Sequence, residues 1–265
     1  YLSLLPRNRR GMTVMLNLIR KSISRALTWL KALRTFRPVN LKSAINILVS
    51  SVIDIALYPF YNQNMINILG GTYFIRELGS YFYVRPRTED LYYIIPGREG
   101  KIERFILRSV PEEGYFIDVG ANFGMWTNYV AKKGFEVYAF EPSPRPYKYL
   151  VKRALPNVHV YNIALGDKNG EVMLNLHRMS VYDSVVCKAK GFFLGKTIKV
   201  SMKTLDSFQF ENVGLIKIDT EGYEFPVLLG AKETIERCKP RVIVEVHSPY
   251  KRQILTIEKL MRGIN

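Results

Sequence analysis

The chain has 265 residues, 48% hydrophobic and 23% charged, a size that buries a full core as one domain of roughly 150 residues plus an appendage. Its two cysteines, Cys187 and Cys238, stand far apart without CxxC spacing, which excludes a disulfide-built scaffold and reads as two reduced structural thiols in a cytoplasmic protein. The formal net charge of +16 is gathered at one end, with ten Lys or Arg and no acid in residues 1–42; no aromatic-interleaved basic motif accompanies it, so no nucleic acid partner is expected.

The first predicted element is a basic amphipathic helix. Met12, Met15, Leu16, Ile19, Ile23, Leu27, Leu30 and Leu33 recur at helical spacing, with Arg20, Lys21, Arg25, Lys31 and Arg34 beside or opposite them, which predicts a helix over 12–34. Two partners stand open for it: an anionic membrane surface, giving peripheral membrane association, or the protein's own body. After a break at Pro38, residues 44–61 are apolar but interrupted by Asn46, Ser50, Ser51 and Asp54. That run falls short of about 20 clean apolar residues, so it reads as a buried or interfacial helix and not as a span. No short apolar core with a small-residue cleavage site follows the basic stretch directly, so no secretory signal is read.

From residue 70 the pattern turns to strands. Thr72–Arg76 and Tyr81–Arg85 flank Gly79-Ser80 as a hairpin, and Leu91–Ile95 reads as a third strand. Arg85, Arg87 and Arg98 are either contacts for an anionic or sugar substrate or solvated charges at strand ends. A helix over 101–110 and the Pro111–Gly114 turn close this stretch. The chain thus divides into a helical extension (1–69), a hairpin-and-helix lead-in (70–110) and an α/β domain (111–265).

Within the last part, strands are predicted over 115–121, 136–141, 158–164, 214–219 and 241–247, with helices over 125–133, 145–154 and 224–237. Such alternation predicts a doubly wound, mostly parallel α/β sheet of the Rossmann-like kind. Glu171–Leu176 and Thr197–Met202 alternate strictly and read as an inserted antiparallel pair. The first strand runs into Gly120, Asn122 and Gly124 at alternating positions before a helix, so backbone is free to approach a ligand there and the helix start offers N–H groups. The second strand ends on Glu141, about one βαβ repeat later, where a doubly wound fold sets an acid against a ribose diol. The spacing Asp-x-Gly-x-Asn-x-Gly is not the Gly-x-Gly-x-x-Gly of dinucleotide sites, which disfavours a dehydrogenase.

Ile117-Asp-Val-Gly-Ala-Asn-Phe-Gly124 and Ala139-Phe-Glu-Pro142 resemble the first two motifs of class I S-adenosylmethionine (SAM)-dependent methyltransferases, and in their wording those of the FkbM-type family. Asn162–Asp167, Thr204–Asp206, Leu215–Gly222 and Val242–His247 resemble later blocks of that family in the same order. Asn122 stands where the generic class I loop has a glycine, a variant the FkbM type itself carries. The resemblance implies SAM as cofactor, with Asp118, Gly120, Asn122 and Gly124 around its methionine part. Glu141 would take the ribose hydroxyls, the turn from Ala164 to Asp167 would border the adenine, and Asp219 would face the methyl group.

It further implies O-methylation of a small-molecule or glycan acceptor, a hydroxyl on a sugar, glycolipid or secondary metabolite. N-methylation and a membrane-attached scaffold that binds SAM without turnover are the alternatives. Family members close their sheet with further strands after a helix like Lys251–Arg262, whereas this sequence stops at Asn265. A fragment lacking its final strands is therefore expected, with the Val242–Val246 edge uncovered.

Transfer to a hydroxyl also needs a base. Glu221, Glu245 and His247 lie beyond the carboxyl ends of adjacent strands, and His247 is the candidate general base because its unperturbed pKa lies near neutrality. Asp219, Glu245 and His247 are alternatively the ligands of a divalent metal that lowers the hydroxyl's pKa. His159 and His177 have no sequence partners and read as structural or exposed.

Overall fold

The computed structural model describes residues 7–61, 65, 67–76, 79–95, 105–106, 108–109, 113–177, 183–186 and 193–246, the side chains of 7–11, 61 and 193–195 excepted. The chain forms two units, Tyr1–Lys101 and Ile102–Asn265.

In the first unit, helix α1 (Arg7–Thr35) leads into strand β1 (Phe36–Pro38) and helix α2 (Leu41–Tyr61). Strands β2 (Gly71–Ile75) and β3 (Ser80–Val84) and the single-turn helix α3 (Asp90–Tyr93) follow. The strands form an antiparallel sheet of order β1-β2-β3, with Tyr73, Ile75, Phe82 and Val84 buried. The predicted hairpin is therefore present, but its third strand is β1 and not Leu91–Ile95. Pro38 has no N–H to give to a ladder and is tolerated there because β1 lies at the sheet edge beside Tyr73. The 91–95 run turns helical because Asp90 is clamped. Its carboxylate accepts the Arg85 backbone N–H at 2.9 Å and the Arg85 guanidinium at 2.8 and 2.7 Å. Arg85 is thus a buried structural cation, neither a substrate contact nor a solvated charge; Arg87 is exposed and Arg98 lies outside the described residues.

Helix α2, expected to be buried or interfacial, buries Ile47 and a row of polar side chains. Ser43 Oγ accepts the N–H of Thr72, Asn46 Oδ1 that of Leu69, and Ser50 Oγ that of Ile68. Asp54 receives the indole N–H of Trp29 at 2.7 Å and pairs with Arg25 at 2.9 Å.

The second unit begins with β4 (Tyr115–Val119), α4 (Met125–Ala131), β5 (Val137–Phe140), α5 (Pro144–Val151) and β6 (Val158–Tyr161). It continues with β7 (Ala164–Leu165), β8 (Gly170–His177), β9 (Phe193–Lys203), β10 (Val213–Ile218), α6 (Glu224–Leu229), α7 (Lys232–Cys238) and β11 (Arg241–Val244). Five strands pair in parallel in the order β11-β10-β4-β5-β6, and β8 and β9 form the predicted inserted antiparallel pair, with β7 joining it. This is the doubly wound α/β architecture. The central strands read as continuous apolar runs because both faces are covered; Ile117, Val119, Phe140, Ile216, Ile218 and Leu228 share one core.

The helix predicted over 224–237 is two helices. Gly230 separates them, packed so closely that a Cβ on it would lie 1.9 Å from the Gly166 carbonyl oxygen. Asp206 restarts the second helix by accepting the N–H groups of Glu233 and Thr234 and the Thr234 hydroxyl, an N-terminal cap supplied from another loop. Residues 105–106 and 108–109 are helical, while the remainder of the helix predicted over 101–110, and the one over 251–262, lie outside the described residues. Of the two thiols, Cys238 is free and donates to the Phe210 carbonyl at 3.3 Å, and Cys187 lies outside the described residues.

Candidate functional site

The strand order locates the site. From β4 at the centre the chain winds outward through β5 and β6, then returns to place β10 on the other side of β4. The loops leaving β4 and β10 therefore diverge, and in open α/β sheets ligands bind in the crevice that opens beyond the carboxyl ends at such a point. A cleft lies there, the concave setting in which small molecules are commonly held. Its lining includes Gly120, Asn122, Glu141, Ala164, Asp219 and Glu221, with Thr220, Tyr223 and the segment Asp183–Val185.

The loop after β4 is shaped by backbone contacts. Gly120 has φ +77°, and a Cβ on it would lie 1.9 Å from the Asp219 carbonyl oxygen, so the β4 and β10 loops touch at this point. Asn122 also takes a left-handed conformation, φ +51°, which Asn tolerates better than most residues. Its N–H donates at 2.8 Å to Glu141 Oε2, while the Ser143 N–H donates at 2.7 Å to Oε1. Glu141 is buried, and its carboxylate ties the first loop to the second.

Beneath the loop lies a cation that the sequence reading assigned no role. Strand pairing sets Lys217 beside Asp118, and the two-residue period of β10 puts Asp219 on the same face as Lys217. Asp118 is 1% and Lys217 5% exposed. The ammonium lies 3.3 Å from Asp219 Oδ2 and 3.7 Å from Asp118 Oδ1, and Asp118 Oδ2 accepts the Thr127 hydroxyl at 2.6 Å. Burial drives the Asp118 carboxyl above its ordinary pKa, with Lys217 and Thr127 opposing. Burial pulls Lys217 down, but the carboxylates of Asp219, Asp118 and Glu245 outweigh it and its pKa is raised. The available signal was a lysine inside an otherwise apolar central strand, since a buried cation requires a buried partner.

Two further residues escaped sequence reasoning. Glu224 is fully buried and accepts the N–H groups of Gly222 at 2.8 Å and Thr220 at 3.3 Å. It thereby holds the turn in which Glu221 has φ +57°. Asp183, on the segment between β8 and β9, accepts the Ser143 hydroxyl at 2.6 Å, the His177 N–H and the Arg145 guanidinium. The next residue, Ser184, donates to the Glu221 carbonyl at 2.9 Å. The insertion is thus bound to the loops after both β5 and β10, contacts between segments far apart in sequence that no local pattern announces.

The predicted site residues are brought together unevenly. Asp118 sits below the cleft with its charge internally compensated. Gly124 is outside the lining and packs on Leu150. Asp167 is exposed and outside the lining; it adds to burial in raising the Tyr223 phenol. Glu245 follows β11, its N–H donating to the Ile218 carbonyl, and His247 lies outside the described residues. Among the described residues, no group of three or more His, Cys, Asp or Glu is gathered as a metal ion would require. His159 is exposed against Glu136 and stacks on Tyr138, and His177 is buried.

Residues 118–263, more than half of the chain, match the family model described as the Methyltransferase FkbM domain. The chain is similar to the hexuronic acid methyltransferase AglP of Haloferax volcanii, at 26% identity over 153 residues that cover 57% of this chain and 63% of that protein. It is also similar to methyltransferase 1 of Beauveria bassiana, at 24% identity over 163 residues, 51% of this chain and 66% of that protein. Among solved structures, methyltransferase FkbM from Methylobacillus flagellatus KT aligns over 93% of this chain and 54% of that one, with a TM-score of 0.43 and 14% identity. The chain thus spans a little under two thirds of the length of these two curated relatives.

Proposed function

The chain belongs to the FkbM methyltransferase family, and from that premise we propose that it transfers a methyl group from SAM to a hydroxyl of a sugar or related small-molecule acceptor. The observation that carries the reading is the cleft where β4 and β10 diverge, whose carboxylates Glu141 and Asp219 face a loop built to bring backbone close. SAM carries a sulfonium, an ammonium and a ribose diol, and these residues suit it: carboxylates for the cations and the diol, apolar Val119, Phe140, Ile163 and Leu165 for the remainder. The Thr220 hydroxyl is buried in the lining without a hydrogen-bond partner among the described residues, which leaves it to a ligand. When bound, SAM supplies an electrophilic methyl group.

The chain's own part is to bind, orient and deprotonate. Glu141 would hold the ribose hydroxyls, Asp219 would face the methyl group, and Ala164 would border the adenine. The acceptor oxygen must be held in line with the carbon–sulfur bond at near-attack distance, and its proton passes to His247 as general base. The hexuronic acid named for the Haloferax relative supports a sugar as acceptor, and release of S-adenosylhomocysteine in the presence of a hexuronic acid glycoside tests it. Failure of any glycoside or polyol to accept a methyl group would overturn this part.

The cofactor assignment is tested at Glu141. Hydrogen bonds to a charged group contribute roughly 1.5–3 kcal/mol each, so loss of two in Glu141→Ala is expected to weaken S-adenosylhomocysteine binding by on the order of 10²-fold or more. Because Glu141 also satisfies the N–H groups of Asn122 and Ser143, the variant is further expected to lose about 1–3 kcal/mol of stability. Calorimetric titration below the melting range of both proteins separates the effects. Unchanged affinity in folded Glu141→Ala protein would remove the residue from the cofactor site.

A further inference from the structure

We propose that α1 and α2 form a docking surface for an anionic lipid bilayer, on which the chain lies without crossing. Burial on these two helices is partly inverted. Seventeen of the twenty-four large apolar side chains exposed among the described residues belong to these two helices. On α1, Met15, Leu16, Ile19, Ile23, Leu27 and Leu30 form a stripe at helical spacing, each 46–61% exposed; on α2, Leu41, Leu48, Val52 and Phe60 are 58–75% exposed. Beside Trp29, Ala32 and Ile47, what the helices bury is polar: Ser43, Asn46, Ser50 and the Arg25–Asp54 pair, over which Tyr58 closes, its ring 3.9 Å from the Arg25 guanidinium. A helix in water buries its apolar side, and apolar patches of this extent mark contact with a membrane or a partner.

Charge selects the occupant. No acid precedes Asp54 in the sequence, and Asp54 is held by Arg25 and Trp29. The charged side chains exposed along 12–53 are all cations: Arg20, Lys21, Lys31, Arg34, Arg37 and Lys42. Arg20 and Lys31 lie along the edge of the stripe, four residues from Leu16 and Leu27. An apolar stripe edged by unopposed cations complements acyl chains beneath anionic headgroups, whereas a second copy of this chain would set these cations against their own kind.

The structure also favours lying on the bilayer over spanning it. Leu41–Phe60 is long and apolar enough to cross a membrane, but Ser43, Asn46 and Ser50 along its inner side hold the backbone N–H groups of Thr72, Leu69 and Ile68. Crossing would carry that tethered, irregular backbone into hydrocarbon, where polar groups that lose their partners find none.

Flotation of the full chain with phosphatidylcholine vesicles, with and without phosphatidylserine, tests the proposal. Binding is expected to the phosphatidylserine vesicles at low salt and to be at least tenfold weaker on phosphatidylcholine alone. Arg20→Gln with Lys31→Gln is expected to lower binding to the anionic vesicles by on the order of tenfold. Ile23→Asp with Leu27→Asp should abolish binding to both vesicle types, and melting curves should match wild type because all four side chains are exposed. Absence of vesicle binding, or equal binding to both vesicle types, would overturn the proposal. So would a stable dimer in sedimentation velocity that Ile23→Asp with Leu27→Asp splits, since the surface would then belong to a second copy.

Discussion

Lys217→Met is expected to destabilise the protein by about 3–5 kcal/mol, the usual cost of removing one partner from a buried ion pair, lowering the melting temperature by on the order of 10 °C. Methionine keeps most of the volume, so the loss reports charge. Without the ammonium, Asp118 and Asp219 face each other across the strands with no cation between them. The pH dependence provides a second readout. The Asp118 carboxyl is already raised by burial despite Lys217, and removal of the lysine raises it further. A carboxyl whose folded pKa exceeds its unfolded value favours the fold at low pH and loses that contribution as pH rises through the folded value. The gap between variant and wild type is therefore expected to narrow as pH falls from neutrality toward the ordinary carboxylate value of 3.8. A gap that does not change with pH would assign the loss to packing.

Gly120→Ala is expected to cost about 3 kcal/mol or more and to abolish cofactor binding. Two effects add: a left-handed φ of +77°, worth roughly 1–2 kcal/mol against an L side chain, and a methyl carbon 1.9 Å from the Asp219 carbonyl oxygen. That obstacle is backbone and has no rotamer to change, so the β10 loop must move and carry Asp219 with it. Gly134→Ala is the control. Its φ is +93°, but nothing lies within 4 Å of the added carbon, so the conformational term stands alone. Thermal melts of both variants give the contribution of close approach as their difference; equal losses would mean that the two loops do not touch as described.

What could be read from the sequence was what periodicity and loop chemistry encode. The parallel strands are apolar runs and the inserted pair alternates, so both were visible, as was the clustering of Gly120, Asn122, Glu141 and Asp219 at strand ends. The role of Lys217 was hidden because its partner Asp118 is separated from it by strands β5 to β9, the inserted pair included, and only register brings them together. Gly124 and Asp167 were drawn into the site by motif position, yet one packs on Leu150 and the other stays in solvent. For α2 the helix was legible and the choice between buried and interfacial was not, because the contacts of Ser43, Asn46 and Ser50 with the segment at 68–72 are made far along the chain. In the 91–95 run, a strand-like composition yielded to the clamp between Arg85 and Asp90.

The position of β4 at the middle of its sheet has a consequence for the order in which the unit assembles. During synthesis β4, β5 and β6 emerge first and are free to pair, but β10 comes only after the inserted strands have been made. Until then any three-stranded intermediate lacks the lysine that pairs with Asp118 in the folded unit, and taking an unpaired carboxylate out of water is costly. Early collapse is thereby penalised at neutral pH, and docking of β10 supplies the missing strand and the missing charge in one event. Closing that long loop is slow for entropic reasons. The unit should accordingly refold in a single late step, the one that brings Lys217 onto Asp118.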